Sequence, residues 1–140
     1  MFDKILKVLL IFLILLLLYM YTFVNPFFEI KMNWGIKLPR ADKIVYKSDT
    51  CSNPYIICAT YTVAKYNSDK KLNIINWKTE KDIAMETKIL KELSEVVIDE
   101  NHMINFSNEY WYYQMVDHDD QLFLVYFPKI KILYVIEQVR

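Results

Sequence analysis

Asp117-His118-Asp119-Asp120 places one imidazole and three carboxylates at four consecutive positions. A set of oxygens with one nitrogen suits a hard or borderline cation, so these four are the candidate metal ligands, for a small-ligand or metal-sensing loop. The same four residues also make a good hairpin turn, and consecutive turn residues do not all point inward. A solvated hairpin tip explains them better.

Cys51 and Cys58 are the only cysteines. The six residues between them fit zinc spacing poorly. In an oxidising compartment the pair would form a disulfide closing a small loop, worth roughly 2–3 kcal/mol at most. In a reducing one they would be two thiols, with Cys58 a small core residue. Neither has a His nearby in sequence, so a catalytic thiol is not expected. His102 follows Asp99-Glu100-Asn101 at the expected end of a helix, where the helix dipole favours a cation and explains it without function. No Ser, His and Asp set suggests a hydrolase, and the chain is not expected to be an enzyme. No cofactor is implied.

Tyr110-Trp111-Tyr112-Tyr113 is the densest aromatic run. In a strand it puts Tyr110 and Tyr112 on one face and Trp111 and Tyr113 on the other. If one face is core, Trp111 and Tyr113 form a candidate surface for a protein partner or a glycan. Asn105-Phe106-Ser107 fits the N-glycosylation pattern, which matters only on a eukaryotic secretory route.

These residues need a scaffold, and the 140-residue chain has room for one domain plus an anchor. Lys plus Arg and Asp plus Glu balance at 17 each. From Met32 onward there are 14 basic and 15 acidic side chains, which argues against a nucleic-acid partner. Gly35 is the only glycine, which excludes the Gly-rich loops that cradle phosphates.

Val8 to Phe28 is a run of 21 uncharged residues, enough helix to span a hydrocarbon core of about 30 Å. Tyr19, Tyr21, Phe23, Phe27, Phe28 and Trp34 supply an aromatic belt, and Asn25-Pro26 is a natural stop. A cleaved signal peptide would have a shorter apolar region and small residues before the cut. Tyr19-Met20-Tyr21-Thr22-Phe23-Val24 offers none, which favours an uncleaved anchor. Lys31, Lys37, Arg40 and Lys43 after the helix outnumber Lys4 and Lys7 before it, which points the C-terminus inward. The short basic start before a Leu-rich run, with a large domain behind it, points the C-terminus outward, and that is the expectation adopted.

Beyond residues 31–40, read as a linker, residues 41–140 predict a small domain. Asp42–Tyr46 reads as a short strand and Ser48–Pro54 as a turn. Tyr55–Tyr66 reads as a long strand, Asn67–Asp69 as a turn and Leu72–Trp77 as a further strand. Thr79 with Asp82 three residues on predicts a capped helix running to Asn101. Its apolar stripe is Ile83, Ile89, Leu90, Leu93, Val96 and Val97. Tyr110–Val116, Leu122–Phe127 and Ile130–Glu137 close the chain as strands. The expected fold is α+β: an N-terminal transmembrane helix, residues 1–30, then a two-layer domain with one helix on a mainly antiparallel sheet.

Pro39-Arg40-Ala41-Asp42-Lys43-Ile44-Val45-Tyr46, Trp77 shortly before a helix, and the ending Lys131-Ile132-Leu133-Tyr134-Val135-Ile136-Glu137 resemble a group of uncharacterised small single-pass membrane-anchored proteins of Gram-positive bacteria. That group carries a Gly- and His-containing loop after the first strand. Here Ser48–Pro54 has neither residue type. The resemblance implies an anchor-plus-domain layout and no activity. Together these features predict a non-catalytic interaction domain at the cell envelope, held in the cell membrane by one span. Its partners would be the lipid bilayer and another envelope protein.

Overall fold

In the computed structural model of the chain, residues 2–23, 25–50 and 58–139 are described. They fall into two compact units, Met1–Arg40 and Ala41–Arg140.

The first unit opens with α1 (Phe2–Phe23), whose residues 4–21 are exposed throughout. At 22 residues it is about 33 Å long. Lys4–Tyr21 is long and apolar enough to cross a membrane. The helix stops before Asn25-Pro26, as proline requires. The Asn25 side chain accepts from the Phe27 N–H at 3.1 Å. A second helix, α2 (Phe28–Trp34), runs from the end of the expected anchor into the first four residues of the stretch expected to be a linker. Phe27, Ile30 and Trp34 recur at three and four residues, and all are buried, as is Leu38. Gly35 ends the helix at φ 67°, a left-handed cap that favours glycine, with its N–H on the Lys31 carbonyl.

The second unit is α+β. Its strands are β1 (Lys43–Asp49), β2 (Cys58–Lys65), β3 (Trp111–Asp117), β4 (Asp120–Phe127) and β5 (Ile132–Val139). They form one five-stranded sheet in the order β1-β2-β5-β4-β3, with every pair antiparallel. On one face Tyr61, Val63, Tyr112, Phe123, Val125, Phe127, Tyr134 and Ile136 meet α3 (Ile83–Leu93) and the segment after it. This is the main core. On the other face Leu122, Leu124, Tyr126, Leu133 and Val135 are buried. At the Tyr126 end of that face the 3₁₀ turn Asp69–Leu72 brings Asp69 to the Tyr126 hydroxyl, and Trp77 lies 6.2 Å from the Tyr126 ring.

Four expectations are corrected. First, Ser48 and Asp49 belong to β1, and Ser48 donates to the Val97 carbonyl at 2.9 Å. Second, Leu72–Trp77 is not a strand. It is a turn followed by a single bridge, Lys78 to Tyr112, and the Trp77 indole donates back to the Leu72 carbonyl. Third, α3 starts from Asp82, not Thr79, because the Asp82 carboxylate accepts from the Met85 N–H at 2.9 Å. Starting there, the helix buries Met85, Ile89 and Leu93 and leaves Ile83 at 60% and Leu90 at 46% exposure. Fourth, the helix ends at Leu93, and Glu100–His102 is a separate 3₁₀ turn. Tyr55–Ile57, expected to open the second strand, lie outside the described residues.

Candidate functional site

The aromatic run divides as strand alternation requires. Tyr110 and Tyr112 are buried in the core, while Trp111 and Tyr113 are half-buried on the opposite face of β3. Trp111 leans on Tyr126, with ring centroids 5.7 Å apart. Met115, also half-buried, extends the same row. β3 is an edge strand. Lys78 exchanges two 2.8 Å backbone hydrogen bonds with Tyr112, and among the described residues no strand pairs with β3 on that side. An edge with a row of large side chains is the kind of surface a partner chain can use.

Sequence reasoning missed a group on the core side of the same strand. The Tyr110 hydroxyl donates to Glu86 Oε1 at 2.7 Å and accepts from the Asp82 N–H at 3.0 Å. The Tyr112 hydroxyl donates to Asp82 Oδ2 at 2.9 Å. Lys81 lies 3.8 Å from Glu86, and the Lys78 ammonium sits 5.6 Å from the Tyr112 ring centre. The group borders a shallow cleft of about 190 Å³ lined by Thr79, Lys81, Phe106, Ser107 and Tyr110 among others. The only sequence signal for it was the pairing of Asp82 and Glu86, one helical turn apart, with tyrosines two apart on a strand.

The electrostatics of this group are those of a clamp. The Met85 N–H, then the Tyr112 hydroxyl, hold Asp82 below its ordinary carboxylate range. Burial, reinforced by the Glu86 carboxylate, pushes Tyr110 up to about 12, and burial with the Asp82 carboxylate raises Tyr112. Both hydroxyls therefore stay protonated at neutral pH and donate to carboxylates. They tie the start of α3 to β3, and a group so poised is a poor acid or base near pH 7.

The 117–120 set forms the turn between β3 and β4. Asp117 and Asp120 face each other as the closing pair, and His118-Asp119 is a two-residue loop with His118 at φ 54°. His118 Nδ1 lies 2.7 Å from Asp117 Oδ1, and Asp117, His118 and Asp119 are exposed. Among the described residues no three His, Cys, Asp or Glu side chains converge to hold a metal ion. Cys58 opens β2 and is disulfide-bonded. Cys51, the chain's other cysteine, lies outside the described residues.

His102 is not at the end of α3, so the helix dipole does not account for it. Its ring stacks on Tyr46 at 4.6 Å and 13°, its Nδ1 lies 3.1 Å from Asp99, and its carbonyl accepts from the Tyr61 hydroxyl at 2.6 Å. It pins the loop after α3 to β1 and β2. Asn105 is exposed, and its side chain accepts from the Ser107 N–H. Comparison with protein-family models, with curated proteins and with solved structures finds no match for this chain.

Proposed function

We propose that this chain is a single-pass membrane protein at the cell envelope, and that residues 41–140 form a non-catalytic interaction domain on the extracytoplasmic side. The observation that carries the reading is α1, an exposed apolar helix of membrane-spanning length with an independently cored domain behind it. Two features support its finer parts. The bonded state of Cys58 suits an oxidising compartment. The tyrosines beside the cleft are engaged as structural donors, which fits binding better than chemistry. The layout also resembles the Gram-positive group named above. The proposed partner is another envelope protein, docked on the half-buried row Trp111, Tyr113 and Met115 of the β3 edge.

Site-specific photo-crosslinking tests this in the full-length protein in living cells. A photoreactive residue at Tyr113 should give a discrete crosslinked product with one envelope protein. The same residue at Lys91, exposed on α3, should give none. Equal or absent crosslinking at both positions would remove β3 as the interaction surface.

A further inference from the structure

The domain is electrically polarised along its strands. The register puts Lys43 directly opposite Lys65, and Lys65 opposite Ile132, next to Lys131. Lys70 and Lys71 sit in the 3₁₀ turn just past β2, and Lys129 lies in the β4–β5 turn at the same end of the sheet. The ion pairs there are Lys71 with Asp42 at 2.8 Å and Lys129 with Glu109 at 3.1 Å. Asp69 is committed to the Tyr126 hydroxyl. Lys131 donates to the Asn67 carbonyl, which leaves its charge uncompensated. Lys43, Lys65 and Lys70 are exposed and have no carboxylate partner among the described residues. Like charges directly opposite on neighbouring strands are destabilising, so Lys43 facing Lys65 is a cost that folding alone does not explain.

The other end of the sheet has the opposite sign. Asp49 ends β1, Asp117 ends β3, Asp119 lies in the hairpin turn and Asp120 starts β4. The described residues at those strand ends include no Lys or Arg, and Arg140 lies outside them. The chain joins the domain at the lysine end. The Asp42 N–H bonds to the Lys65 carbonyl immediately before β1 begins. The sequence leading there from α1 adds Lys31, Lys37 and Arg40 against Glu29.

We propose that the lysine end, Lys43, Lys65, Lys70 and Lys131, docks on anionic phospholipid headgroups of the membrane that holds α1, and that the aspartate end is thereby turned away from it. This rests on the reading of α1 as a membrane anchor. The tether keeps the lysines at high local concentration beside the bilayer. A negative surface attracts such a basic patch and repels the acidic end, so one orientation is favoured. The trp- and tyrosine-bearing edge strand β3 runs between the two ends and so stays open to a lateral partner.

The test uses the full-length chain in bilayer discs of phosphatidylcholine, with or without phosphatidylglycerol, and reads lysine accessibility by amine-reactive labelling and mass spectrometry. Labelling of Lys43, Lys65 and Lys70 should fall about threefold or more when phosphatidylglycerol is present, and recover at roughly 0.5 M salt. Lys91 on α3 should not change. In the variant Lys43→Glu, Lys65→Glu, whose positions are exposed, labelling of Lys70 should become independent of lipid charge. Equal labelling in both discs, or an equal fall at Lys91, would overturn the docking proposal while leaving the anchor intact. Failure of the chain to enter discs of either composition would overturn the anchor reading and this proposal with it.

Discussion

Replacing Tyr110 by Phe should destabilise the domain by about 2 kcal/mol without disturbing its packing. The ring is buried against Phe106 at 5.3 Å and Phe127 at 5.9 Å, and phenylalanine keeps those contacts. Only the hydroxyl is lost. It donates to the Glu86 carboxylate, a side chain 13% exposed, and a hydrogen bond to a charged group contributes roughly 1.5–3 kcal/mol. The same oxygen accepts from the Asp82 N–H at the helix start, which would be left to find water. Lys81, 3.8 Å from Glu86, offsets part of the loss because it still faces the carboxylate. The assay is urea unfolding of the full-length protein in detergent, followed by tryptophan fluorescence, to which Trp34 contributes along with the domain's Trp77 and Trp111. A loss of about 2 kcal/mol moves the midpoint down by roughly 1 M urea. Tyr113→Phe, on the half-buried face, is the control and should stay within about 0.5 kcal/mol of the parent. Equal midpoints for Tyr110→Phe and Tyr113→Phe would refute the clamp between α3 and β3.

Other perturbations follow from the same geometry. Ile89→Ala, at the centre of the α3 contact, should cost about 2–5 kcal/mol, whereas Ile83→Ala should stay within about 0.5 kcal/mol in the same titration. Asp82→Ala should lower the melting temperature measurably, while Thr79→Ala should leave it nearly unchanged. The reverse order would restore Thr79 as the cap. Asp82 is held below its ordinary value, so its contribution is present above about pH 4 and is lost as pH falls through its folded value. Acid unfolding should therefore begin later in Asp82→Ala relative to its own neutral-pH stability. For Tyr110 the sign is opposite. Its folded value, about 12, lies above the ordinary 10.0, so its contribution is intact below pH 10 and disappears as pH rises toward 12. Tyrosinate absorbance should show buried tyrosines ionising together with unfolding, and free titration near pH 10 in the folded state would contradict this.

The sequence made the broad architecture legible because its strongest signals are periodic. An uninterrupted apolar run, alternating strands and a two-residue hairpin at His118-Asp119 do not depend on tertiary context. What was missed depends on it. The sequence pattern makes Thr79 the cap and Asp82 its capping-box partner, whereas Asp82 itself caps the helix through the Met85 N–H and is held there by the tyrosine hydroxyls reaching it from β3. The buried stripe keeps Ile89 and Leu93 from the expected set, adds Met85 and leaves Ile83 and Leu90 largely exposed. α2 was hidden because seven residues give too little periodicity to read, and only Ile30 and Trp34 of the helix are buried. The clamp of Tyr110, Tyr112, Asp82 and Glu86 joins residues 24–30 positions apart, a pairing that no local pattern encodes. The candidate surface residues Trp111 and Tyr113 were legible from alternation alone, because that rule fixes faces before anything is known of the neighbours.

Whether α1 holds the mature protein in the bilayer can be measured directly. Membranes from cells making the chain with a C-terminal tag are washed at high salt and high pH, and the tagged species that remains is weighed by mass spectrometry. An integral anchor leaves the tagged protein in the pellet with its mass including residues 1–23. A tagged species released to the supernatant, or one lacking that segment, would show that the apolar helix is a removed signal or a peripheral contact, and the envelope-anchored domain would have to be given up.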